Sequence, residues 1–181
     1  MKKIFWALYA ILGFFLLLNL AADAQEASWP AAKPEDVSSA SATVKASYDA
    51  ISCPPGQTLN LDRFRSLFLP HAQLVSVSLK EGQGAAHLMT MDEFSKMVIG
   101  SVGKAGHVEH ELAERVEIYG NIANVWSSYE SRNTPDDPHV IRGINSIQLF
   151  NDGKRWWITG AQWQHETADI PIPAKYLSTS H

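Results

Sequence analysis

Seven histidines and 19 acidic residues are the groups in this 181-residue chain that can move a proton or hold a metal ion. His107 and His110 are three apart, a ligand spacing on a helix. The alternation from Val108 to Tyr119 reads instead as a strand, where residues three apart point to opposite faces. No other close pair exists among His71, His87, His139, His165 and His181, so no metal site is expected. On that strand the apolar set Val108, Leu112, Val116 and Ile118 brings His110 and Glu114 to one side. The corresponding sets are Ala123, Val125, Ser127 and Tyr129 on the next strand, and Gly143, Asn145, Ile147 and Leu149 on a third. On the last strand the set is Trp156, Ile158, Gly160, Gln162 and Gln164. His110 is then the one candidate general acid or base, and Glu114 the sole acidic residue on its side. Each polar member also has a structural reading: Tyr48 and Tyr129 as core residues with satisfied hydroxyls, Asn145 and Gln162 as partners of each other.

The elements that must carry these residues are marked by punctuation. Val44, Tyr48 and Ile51 repeat at helical spacing until Pro54-Pro55-Gly56. Asn60 is an N-cap for a second helix with Leu61, Phe64 and Phe68 on one face, ending before Pro70. Ala72 to Leu79 alternates as a strand, Lys80 to Gly84 is a turn, and Ala85 to Met89 is a short return strand. Thr90-Met91-Asp92-Glu93 is a capping box opening a third helix with Phe94, Met97, Val98 and Val102 on its buried face. A run of strands comes next. Gly120-Asn121 joins Val108–Tyr119 to Ile122–Arg132, and Asn151-Asp152-Gly153-Lys154 joins His139–Phe150 to Trp156–Glu166. Helices first and a long antiparallel meander last make an α+β arrangement.

Leu61-Asp62-Arg63-Phe64 with Leu67-Phe68-Leu69-Pro70-His71-Ala72, then Gly120-Asn121-Ile122-Ala123-Asn124-Val125, then Asp152-Gly153-Lys154-Arg155-Trp156-Trp157 resemble the nuclear transport factor 2-like (SnoaL-like) superfamily. The resemblance runs from about Ala42 to Glu166. It implies a cone-shaped roll in which a curved, mainly antiparallel sheet wraps around N-terminal helices and leaves a pocket at its open end. It also implies that the sets above line that pocket, so that Tyr48, His110, Tyr129, Asn145 and Gln162 form its polar, ligand-binding groups in an apolar cavity. Superfamily members include isomerases, dehydratases, epoxide hydrolases and non-catalytic domains, and the fold alone does not choose among them. The carboxylates that the isomerases use are missing from this set, as are the arginine between two aspartates of the epoxide hydrolases and the aspartate of a dehydratase pair.

Lys2 and Lys3, the apolar run Ile4 to Leu20 and Ala22-Asp23-Ala24 have the three parts of a secretory signal peptide. Residues 1–24 are read as that signal, 25–40 as a flexible spacer, 41–168 as the folded domain and 169–181 as a tail. An uncleaved anchor is the alternative. The expected location is periplasmic or secreted, with no membrane contact after cleavage. A net charge of −4 argues against nucleic acid as a partner. Cys53, the only cysteine, allows no intrachain disulfide. The reading is an exported, non-catalytic domain that binds a small hydrophobic or amphipathic ligand without a cofactor. A small isomerase, dehydratase or hydrolase using His110 is the second reading, and a structural dimerisation domain with a filled cone the third. On the opposite sheet face, parity collects Trp126, Ile144, Phe150, Trp157 and Trp163, a patch expected to pair two copies as a homodimer. The alternative cover is the chain's own Ile170 to Leu177.

Overall fold

Three helices are set by side chains that satisfy their first free N–H groups. The computed structural model describes residues 29–80, 82–102 and 105–180, and the elements below all belong to the unit Ala31–His181. The expected signal, Met1 to Ala24, lies outside the described residues. Helix α1 (Ala40–Ile51) starts where Ser39 Oγ accepts the Ala42 N–H at 3.0 Å. Helix α2 (Leu61–Ser66) starts where Asn60 accepts the Arg63 N–H at 3.1 Å. Helix α3 (Met91–Val102) opens on the expected capping box, with Thr90 N–H donating to Glu93 at 2.8 Å and Glu93 N–H to Thr90 Oγ1 at 3.3 Å.

The strands are β1 (Phe68–Lys80), β2 (Gln83–Met89), β3 (Val108–Tyr119), β4 (Ile122–Arg132), β5 (Ile141–Asn151) and β6 (Trp156–His165). They form one six-stranded sheet in the order β2-β1-β6-β5-β4-β3. Neighbours are antiparallel except β1 and β6, the second and third strands in that order, which run parallel. The helices cover one face. Helix α1 packs on β3, β4 and β6, and its Val44 and Ala50 are buried, as are Val125, Leu149 and Ile158 of the sheet. Phe64 of α2 stands 4.7 Å from Phe68 and 5.1 Å from Phe94 of α3, ring centroid to centroid. This is the expected α+β cone, with a sheet that does not close.

Two segments differ from the expectation. The end of the expected spacer is part of the packed body: Pro34–Val37 is a 3-10 turn with Val37 buried, and Arg63 donates to both Asp36 oxygens at 2.7 and 2.8 Å. The tail folds back on its own sheet. Tyr176 lies 5.4 Å from Trp126, Ser128 Oγ donates to the Tyr176 carbonyl, and Ser180 pairs with β3 through Glu114 and Val116.

Candidate functional site

The concave face encloses a cavity of about 370 Å³ between the helices and the sheet. Its apolar wall includes Phe64, Phe68, Leu74, Phe94, Val98, Ile147 and Ile158. Met97, Asn133, Ile141 and His165 are exposed lining residues and mark its mouth. Of the five expected site residues, Tyr48, Tyr129 and Asn145 line this cavity. The other two do not, for one reason in each case.

In β3 the register shifts between Glu111 and Ala113, where Leu112 forms a β-bulge. A bulge inserts one unpaired residue and reverses the facing of everything on one side of it. Glu114 and Val116, paired with Ser127 and Val125, keep the expected inward side. On the other side of the bulge, Glu111 pairs with Tyr129 and turns inward, as does Glu109, while His110 is carried to the outer face. There His110 is 55% exposed and lies 3.4 Å from Glu130. In β6 the register shifts again at Thr159, between the pairs Leu149–Ile158 and Gln148–Gly160. Ala161, Trp163 and His165 therefore turn into the cavity. Gln162 faces a second, outer concavity beside Trp126, Ile144 and Pro171. Trp163, expected on the outer patch, instead stands edge-on to Phe94 at 5.9 Å.

The polar groups inside are connected. Asn145 Nδ2 donates to the Tyr48 hydroxyl at 2.8 Å, Tyr48 donates to Ser127 Oγ at 2.6 Å, and Ser127 donates to Glu111 at 2.5 Å. Burial pushes the Glu111 carboxyl above the ordinary glutamate value, although the Ser127 hydrogen bond works the other way. Burial, then the nearby Glu109 charge, pushes Tyr48 and Tyr129 up as well. Both therefore remain phenols over the physiological range. The Tyr129 hydroxyl lies 3.0 Å from His165 Nδ1. The contact holds the His165 ring in place and leaves its Nε2 free of the tyrosine. At the start of β3, His107 Nε2 lies 3.2 Å from Glu109 Oε2. A neutral His107 donating there leaves Nδ1 as an acceptor. The cavity is thus apolar in its depth and offers a phenol-imidazole pair, an imidazole-carboxylate pair and an amide among its polar groups.

His107, Glu109, Glu111 and His165 were missed by alternation alone. Two signals in the sequence point to them: the adjacent apolar pair Leu112-Ala113, which breaks the β3 alternation, and Thr159-Gly160-Ala161, where small residues interrupt that of β6.

No family model matches the chain, and no curated protein matches it in sequence. Solved structures do. A Nostoc punctiforme protein of unknown function with a cystatin-like fold is 9% identical with a TM-score of 0.53, over 75% of this chain and 98% of that one. A Bdellovibrio bacteriovorus protein is 12% identical with a TM-score of 0.51, over 71% of this chain and 40% of that one. A nuclear transport factor 2-like protein of unknown function from Silicibacter pomeroyi is 16% identical with a TM-score of 0.48, over 70% and 92%. These likenesses are of fold.

Proposed function

We propose that this chain, which has the nuclear transport factor 2-like fold, is an exported binding protein for a small, largely apolar molecule held inside its cone. The observation that carries the reading is the open cavity of about 370 Å³, which falls within the range of small-molecule sites. Its polar groups are few, and Tyr48, Tyr129 and His107 each have a partner that fixes them. Preorganised groups of this kind orient a ligand without a large ordering cost. An open cavity favours this reading over a structural domain with a filled cone.

A thermal-shift screen of the purified protein against a small-molecule library tests it. A ligand at a hundred times its dissociation constant stabilises the native state by about 2.7 kcal/mol, a readily measured shift. The expected result is at least one compound whose shift disappears in Ala161→Phe, a substitution that puts a ring into the cavity. A library without hits, or hits indifferent to Ala161→Phe, would overturn the reading.

The pair His107–Glu109 supports a second reading, an isomerase, dehydratase or hydrolase in which His107 Nδ1 takes the role first given to His110. A carboxylate behind an imidazole fixes its orientation and its tautomer. Turnover of any compound from the same screen, lost in His107→Gln while binding is kept, is the expected sign of catalysis. Hits that bind without turnover would leave the binding reading alone.

A further inference from the structure

We propose that the cavity selects an apolar amine, with the ammonium group held at Glu109 among aromatic rings. This rests on the cavity being a binding site, and goes beyond it to the charge of the ligand. The Glu109 side chain is 14% exposed. One carboxylate oxygen meets His107, and the other takes no hydrogen bond among the described residues. That oxygen is open to the cavity, which Glu109 lines, and a donor or a cation on a ligand can meet it there.

The surroundings select the sign of the charge. Among the described residues lining the cavity there is no lysine or arginine. Glu111 lies behind Ser127 and adds to the acidic character on the same side. An anionic ligand would meet the Glu109 carboxylate, whereas a cationic one would pair with the oxygen that His107 leaves open. Tyr48, Tyr129, Phe64, Phe94 and Trp163 supply aromatic walls. Ring faces attract a desolvated cation through their negative quadrupole. The Glu109 charge acts on both Tyr48 and Tyr129, so the carboxylate is within electrostatic reach of both phenols.

The test uses three probes of one shape: 3-phenylpropylamine, 3-phenylpropan-1-ol and 3-phenylpropanoate. Each is titrated calorimetrically into the purified protein at neutral pH, where the amine is cationic and the acid anionic. The expected order of affinity is amine, then alcohol, then acid, with the amine at least about tenfold tighter than the alcohol. In Glu109→Gln the tenfold preference of the amine over the alcohol should vanish. In Ala161→Phe all three should weaken, which places the binding inside the cone. Equal binding of amine and alcohol to the wild type overturns the selection for an amine and leaves the cavity reading intact. So does an amine preference that survives Glu109→Gln. The order among the three wild-type titrations decides the matter even if Glu109→Gln fails to fold. Failure of all three probes overturns the amine assignment, and the library screen then decides separately whether the cavity binds anything.

Discussion

A Cβ at position 143 would lie 2.5 Å from the Tyr129 hydroxyl and 2.5 Å from the Gln164 carbonyl oxygen. Tyr129 reaches over Gly143 to His165, and only a glycine leaves the space. Gly143→Ala should therefore destabilise the fold by about 1–3 kcal/mol, as overpacking commonly does, and should release the Tyr129–His165 pair. Denaturant unfolding measures the first effect, and NMR titration of the His165 imidazole the second. An unchanged midpoint and titration would refute it. Glu111 makes a prediction of opposite sign to the usual carboxylate. Its pKa is raised in the fold, chiefly by burial, so its favourable contribution is complete below the unfolded pKa and is lost as pH rises through the folded value. Asp36, lowered first by its Arg63 hydrogen bond, contributes above its unfolded pKa and loses that contribution as pH falls through the folded value. Glu111→Gln keeps an acceptor for Ser127 and removes the buried charge. It should be at least as stable as the wild type at pH 7 and lose the advantage near pH 4. A loss at pH 7 equal to that at pH 4 would show that burial of the charge is not what matters at this site.

At the scale of elements, the two bulges decide what the site contains. Helix starts and hairpins were legible in the sequence because they depend on local chemistry: Asn60 and Thr90 cap N–H groups, and Gly120 (φ +56°) and Gly153 (φ +89°) adopt turn conformations unfavourable to other residues. Facing along a strand is cumulative, and one unpaired residue undoes it. Thus Tyr48, Tyr129 and Asn145, on regular stretches, were placed correctly, while His110 and Gln162, separated from them by Leu112 and Thr159, were not. A bulge depends on how two strands meet, which neither strand's own pattern records. Deletion of Leu112 tests this. Regular pairing would carry Glu109 and Glu111 outward and His110 inward, breaking the His107–Glu109 and Ser127–Glu111 hydrogen bonds. The expected result is a loss of at least about 2 kcal/mol in denaturant unfolding. A deletion variant as stable as the wild type would mean that the bulge does not fix the facing of β3.

For the whole molecule, the outer sheet face is smaller and better covered than alternation implied. Trp163 has left it, Tyr176 sits on Trp126, and Trp157 lies under the Arg155 guanidinium at 3.5 Å with its indole N–H donating to Asp152 at 2.9 Å. We propose that a homodimer forms through what is left, Ile144 and Phe150. Sedimentation equilibrium should show association that Phe150→Glu weakens; a protein that stays monomeric at high concentration would sink the proposal. N-terminal sequencing of protein from its native host should likewise begin at Gln25 if Met1 to Ala24 is a cleaved signal, and a full-length product would refute export by that route. The parallel pairing of β1 with β6 bears on how such a chain comes to fold. The β1–β2 hairpin and the β3-β4-β5 meander are each local, but β6 is the strand that joins them, and it is the last to be made. Contacts so distant along the chain form late, because the loop between them must first be closed. The sheet has no complete version until residue 165 has emerged. The order of synthesis therefore leaves the sheet in two parts for almost the whole length of the chain, a timing that fits the export proposed above.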